Sequence, residues 1–202
     1  SSGASETVNV LAAPSISTSG SIGSFTACSG VAGASDNFSV SGSNLTADIT
    51  VTAPTGYEVS TDNSSFSSSV TLTQSGGTVN STTIYVRLTS SASNGASGNV
   101  SCTSTGASTE NVATGSGTVY SAFSSGTISS SGETICNGGS FSAISSSSAA
   151  SGGDGSISYT WHKDGGSAIG GATSSTYTPT SAGTYTRKAA DGTCNTSPSV
   201  SS

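Results

Sequence analysis

Apolar and polar residues alternate one by one through much of the chain. Leu45, Ala47, Ile49 and Val51 fall on one face of an extended backbone, with Thr46, Asp48, Thr50 and Thr52 on the other, the period-2 signature of a half-buried strand. Ile84, Val86 and Leu88 repeat the pattern, with Tyr85 and Arg87 turned outward. Shorter runs at Phe38–Val40, Tyr57–Val59, Val70–Leu72, Val100–Cys102 and Asn111–Ala113 predict further strands. Between them stand the turn signals Pro54-Thr55-Gly56, Asp62-Asn63, Gly76-Gly77 and Asn94-Gly95. No stretch carries helical periodicity. Short strands punctuated by turns every 8 to 12 residues or so predict an all-β fold of antiparallel strands packed as a sandwich.

From about Tyr120 the pattern becomes denser in aromatics. Ile157, Tyr159 and Trp161 alternate with Ser158, Thr160 and His162 ahead of an Asp164-Gly165-Gly166 turn, so Trp161 and Tyr159 are expected on one sheet face as anchors of a second core. Downstream, Tyr177, Ser181-Ala182-Gly183-Thr184-Tyr185 and Asp191-Gly192 read as strand, corner, strand and hairpin turn. The approach to Tyr185 is similar to the tyrosine corner of immunoglobulin-like sandwiches, in which the phenol bonds to backbone upstream. The expected organisation is therefore a sandwich over 14–119 and a second over 120–202. Residues 1–13 are expected to be a closing strand with its linker. There Val8, Val10 and Leu11 form a strand-like run before Pro14, while the second sandwich, ending in Cys194-Asn195-Thr196-Ser197-Pro198, still needs a final strand. Joining the two predicts an inter-module strand, supplied covalently in a tandem repeat or as donor-strand complementation between subunits.

Composition supports a folded chain. Charged residues make up 7% of it, against about 25% in ordinary soluble proteins. Disorder usually combines low hydrophobicity with high net charge, whereas here 31% of residues are hydrophobic and the net charge is −6. Four lysines and arginines leave no basic stripe for phosphates, so no nucleic-acid partner is expected. No apolar run approaches the roughly 18–20 residues that span a bilayer, so no membrane insertion is expected. The start lacks a charged, apolar leader and reads as that of a mature or internal segment.

The four cysteines, Cys28, Cys102, Cys136 and Cys194, show no CxxC spacing, and His162 is the only histidine, so disulfides explain them better than zinc or redox chemistry. Three pairings are open. Two separate domains favour Cys28–Cys102 and Cys136–Cys194, in an oxidising compartment. Each would close a loop worth about 4 kcal/mol in the chain-entropy model.

Catalysis is poorly served. A serine nucleophile needs a base within reach, and one histidine beside Lys163, with no G-x-S-x-G elbow, does not supply it. The acidic loop residues Asp62, Asp154, Asp164 and Asp191 offer the oxygens Ca²⁺ takes, yet no dense Asp-x-Asp cluster gathers them, and no cofactor is expected. Asn37, Asn44, Asn63, Asn80, Asn99 and Asn195 begin N-x-[ST] triplets that chance supplies in a chain so rich in Ser and Thr.

Residues 38 to 88, from Phe38-Ser-Val-Ser-Gly-Ser-Asn-Leu through Ala53-Pro-Thr-Gly-Tyr-Glu-Val-Ser-Thr-Asp-Asn to Thr83-Ile-Tyr-Val-Arg-Leu, resemble the Ig-like repeats of giant Bacteroidetes-type secreted surface adhesins and extracellular filament proteins. The later Ile135-Cys136-Asn137-Gly138-Gly139, Ser158-Tyr159-Thr160-Trp161 and Gly183-Thr184-Tyr185 resemble the PKD-like or Ig-like modules that accompany such repeats. The resemblance implies two tandem immunoglobulin-like antiparallel β-sandwich domains in a secreted, non-enzymatic stalk or filament segment that associates with itself or with tandem neighbours. The competing expectation is a carbohydrate-binding module whose partners are surface glycans, with Trp161 stacked on a sugar ring. Single aromatics at alternating core-type positions favour the structural reading over that one.

Overall fold

The computed structural model describes residues 11–129 and 131–201. Over them the protein is all β, with sixteen strands and, among the described residues, no helix. Contacts divide it into two compact units. One comprises Val31–Val119 and the stretch ending at Ala27; the other comprises Cys28–Gly30 and the stretch beginning at Tyr120.

The first unit contains two four-stranded antiparallel sheets. Strands β1 (Ser15–Ser19), β3 (Asp36–Ser43), β7 (Val79–Leu88) and β5 (Tyr57–Ser60) lie in that order in one sheet, while β2 (Thr26–Cys28) belongs elsewhere. Strands β6 (Ser69–Leu72), β4 (Ile49–Thr52), β8 (Asn99–Thr103) and β9 (Glu110–Ala113) form the other. The register brings Phe38 opposite Ile84 and Val59 opposite Val86, so the inward residues of neighbouring strands meet. Ile84, Val86 and Leu88 join Ile49, Val51, Val100 and Cys102 of the other sheet in one buried hydrophobic cluster, the arrangement of a β-sandwich. Each large aliphatic buried there contributes about 1.5–3 kcal/mol relative to exposure.

One predicted strand is shorter than its alternation. Leu45 to Asp48 is not extended, although Leu45 and Ile49 are both buried. Asn44 adopts a left-handed φ of 53° and turns the chain. Leu45 N then donates to Gly77 O at 2.9 Å, and Asp48 Oδ1 accepts from Gln74 N at 3.0 Å. Gly77 has a φ of 80°, and a Cβ there would stand 3.3 Å from Leu45 O, so glycine suits the position.

The second unit is built from smaller sheets. Strand β10 (Thr118–Ser124) lies between β13 (Ser151–Gly153) and β2, and β11 (Thr127–Ile128) pairs with β12 (Ser146–Ser148). Strands β14 (Ser158–Lys163), β15 (Tyr185–Ala190) and β16 (Ser199–Val200) form the third sheet, in that order. Among the described residues its buried apolar side chains are Trp161 and the alanines 150, 189 and 190, together with polar Arg187, Asp191 and Ser201. So thin an apolar core relies on other staples.

Of the expected inter-module strand, Val8 and Val10 lie outside the described residues. Leu11 belongs to no strand and is 89% exposed.

Candidate functional site

The chemistry-bearing residues of the second unit converge on β14 and β15. The two strands pair from Ser158↔Ala190 to Lys163↔Tyr185, with Trp161 directly opposite Arg187. Trp161 is fully buried, stacks on Tyr177 with ring centroids 5.6 Å apart, and donates from Nε1 to Ser174 O at 2.9 Å. Tyr177 in turn packs against Tyr185 at 5.5 Å. Tyr185 Oη donates to Ser181 O, four residues upstream, at 2.8 Å. Tyr159 is half-buried and lies beside Arg187, whose guanidinium carbon is 4.9 Å from the ring centroid. The indole of Trp161 therefore has no face open to a sugar ring.

Arg187 had no place in the expected core. It is fully buried and held by oxygens rather than by a carboxylate. Nε donates to Ser201 Oγ at 3.0 Å. Nη1 donates to Ser175 O at 2.9 Å and to Ser146 Oγ, and Nη2 reaches Ser125 O and Thr127 O at 3.4 Å. Desolvation lowers its pKa from the ordinary value. One side chain thus ties the β11–β12 hairpin, the 174–177 loop and the C-terminal strand together. Its signal was the phase it shares with Tyr185 and Ala189 along β15.

The expected cysteine pairing is corrected. Cys28 bonds to Cys194, 166 residues away, whereas Cys102 and Cys136 carry free thiols. Cys28 ends β2, where the chain leaves the first unit for the three residues that belong with the second, and Ser29 N donates to Tyr120 O at 2.8 Å. Cys102 instead faces the core of the first sandwich and is fully buried. Cys136 occupies an exposed turn closed by Gly139 N to Cys136 O. Burial first, and then the charge of Glu110, pushes the Cys102 thiol up to about 11. Folded protein is therefore expected to consume one equivalent of a thiol reagent quickly at neutral pH, through Cys136, and a second only after unfolding. Cys136→Ser should abolish the fast phase. Two fast equivalents would show that the first core admits solvent.

The acidic candidates are bound up in their own loops. Asp62 accepts from Ser64 N, Ser65 N and Ser60 Oγ, which hold its carboxyl down to about 2, the backbone bond from Ser65 contributing most. Asp154 accepts from Thr193 Oγ1 and from the amides of Ser156 and Gly192, and its pKa is lowered, chiefly by Thr193. Asp164 accepts from Thr184 N. Asp191 accepts from the amides of Thr193 and Cys194 with Oδ1, while its buried Oδ2 finds no partner among the described residues. Among the described residues, no three His, Cys, Asp or Glu side chains are grouped to hold a metal. His162 Nδ1 meets Gly166 O at 2.9 Å, and Nε2 lies 3.4 Å from Thr160 Oγ1 on the same strand, a contact that braces the Asp164-Gly165-Gly166 turn.

The second unit also contains an open groove of about 1120 Å³, lined on one side by Ile128, Ile135, Phe141 and Ile144 and on the other by 179–185 with Ser201. No pattern in the sequence announced it, because its apolar residues follow no period. No protein-family model, curated protein or solved structure matches the chain.

Proposed function

We propose that the chain is an immunoglobulin-like structural segment of a secreted surface adhesin or extracellular fibre, serving as a stalk or filament unit. The observation that carries this reading is the Cys28–Cys194 bond. Disulfides persist in oxidising, extracytoplasmic settings. Tension along the chain cannot unravel the segment between Cys28 and Cys194, which withholds roughly 550 Å of slack at about 3.3 Å per extended residue. A stalk benefits from that restraint.

The surface supports the same reading. Exposed strand edges are usually guarded by charge or proline, whereas the edge strand β1, Ser15–Ser19, contains neither. Such edges permit lateral association. Antibodies raised against the chain and applied to intact, unpermeabilised source cells should label the surface or shed fibres in immunogold micrographs. Label confined to the cytoplasm would defeat the proposal.

A further inference from the structure

We infer that Asn137 is a site of spontaneous deamidation, and that the fold withholds the same reaction from the other Asn-Gly pair, Asn94-Gly95. In this chemistry the amide nitrogen of the following residue attacks the asparagine side-chain carbonyl, and glycine, lacking a Cβ, obstructs that approach least. The sequence contains two such pairs, Asn94-Gly95 and Asn137-Gly138. Their surroundings are opposite.

Asn94-Gly95 is fixed at both reacting ends. Asn94 Oδ1 accepts from Val119 N at 2.9 Å, and Gly95 N donates to Gly117 O at 2.8 Å. The carboxamide is thus tied down while the attacking nitrogen is engaged elsewhere, and both bonds must open before the two can meet. Asn137 instead stands in the exposed turn closed by Gly139 N to Cys136 O at 2.9 Å. Among the described residues neither its carboxamide nor Gly138 N has a hydrogen-bond partner. A Cβ placed on Gly138 would meet nothing within 4 Å, so there is room for the turn to rearrange. The turn lies between β11 and β12, outside any strand, where local opening costs little.

The reaction balances with water alone. Gly138 N gives its proton to hydroxide or a buffer base and bonds to Asn137 Cγ, the Cγ–Nδ2 bond breaks, and ammonia leaves behind a cyclic imide. Water then opens the ring. Attack at Cγ restores the ordinary peptide with an aspartate, whereas attack at the main-chain carbonyl carbon leaves the chain running through Cγ as isoaspartate. Either product adds one negative charge to a chain whose net charge is −6. Asn137 and Glu133 both line the groove of the second unit, so the groove gains a second carboxylate as the protein ages.

The full chain is incubated at mildly alkaline pH, native in one arm and unfolded in urea in the other. Chymotryptic cleavage after Leu88, Tyr120, Phe123 and Phe141 puts the two pairs on separate peptides, and mass spectrometry reads the exchange of amide for acid in each. In native protein Asn137 should convert about tenfold or more faster than Asn94, because two hydrogen bonds must open before Asn94 reacts. In urea, with that protection gone, the two rates should agree within about a factor of three. Enzymatic methylation of isoaspartate should label the 124–141 peptide of aged native protein, and Asn137→Gln should abolish both that label and the acidic band seen on isoelectric focusing. Equal rates in the native protein, a native Asn137 rate about tenfold below its rate in urea, or the same disparity persisting in urea would each overturn the inference.

Discussion

Trp161→Ala should destabilise the second unit by about 3–5 kcal/mol, the range for truncating a large core aromatic. Trp161 is fully buried, stacks on Tyr177, faces Arg187 across the sheet and donates to Ser174 O. The other buried apolar side chains described in this unit are alanines, too short to move into the space an indole would leave. Total stability in domains runs at roughly 0.05–0.15 kcal/mol per residue. A loss of this size would leave little, and the variant is expected to be largely unfolded at physiological temperature. Urea denaturation followed by tyrosine near-ultraviolet circular dichroism measures the effect, since the substitution removes the only tryptophan. Trp161→Phe, which keeps the ring and loses the Ser174 bond, should cost less. An alanine variant within about 1 kcal/mol of the parent, the ordinary range for a point substitution, would show that Trp161 does not anchor this core.

What could be read in the sequence is what repeats along a strand. Ile84, Val86 and Leu88 announce an inner face because nothing else brings every second residue of an extended chain to one side, and all three are fully buried. The same alternation at Leu45, Ala47 and Ile49 misleads. A bend that begins at Asn44 also buries Leu45 and Ile49, and a burial pattern does not distinguish a bend from a strand. Trp161 was legible through its phase with Tyr159. Its ring partner, Tyr177, read as a strand, makes only an isolated bridge with Ile144, and its stacking on Trp161 had no signal in the pattern. Arg187 was missed because an arginine is expected at the surface. Its burial depends on five oxygens drawn from distant segments, and no local pattern encodes that meeting. The cysteines failed for a related reason. Nearness in sequence suggested pairs within each module, whereas Cys28–Gly30 leaves one unit for the other over three residues, a tertiary event without a local signature. The groove is the extreme case, because its lining comes from irregular chain.

Removing the Cys28–Cys194 bond should lower the stability of the second unit by about 4–5 kcal/mol in the chain-entropy model. When the whole chain unfolds, the bond closes a loop of 166 residues, worth about 5 kcal/mol on that model. When the second unit unfolds alone, residues 31–119 keep their structure and the flexible loop shrinks to roughly the 75 residues from Tyr120 to Cys194, worth about 4.5 kcal/mol. The two values are close because loop-closure entropy grows only with the logarithm of length. The native side of the balance is fixed by local bonds: Asp191 holds the amides of Thr193 and Cys194, and Asp154 clamps Thr193 from the neighbouring loop, so the 191–194 turn persists without the cross-link. The cost should therefore fall on the unfolded ensemble. Trp161 reports the second unit alone, being the only tryptophan and lying on β14. With a urea m-value of roughly 1 kcal/mol per molar for a unit of this size, Cys28→Ser with Cys194→Ser should move the Trp161 midpoint down by several molar. Reduction of the parent protein should do the same. An unmoved Trp161 midpoint after complete reduction would show that the bond restrains nothing in this unit, and the force-bearing role assigned to it would fall with that result.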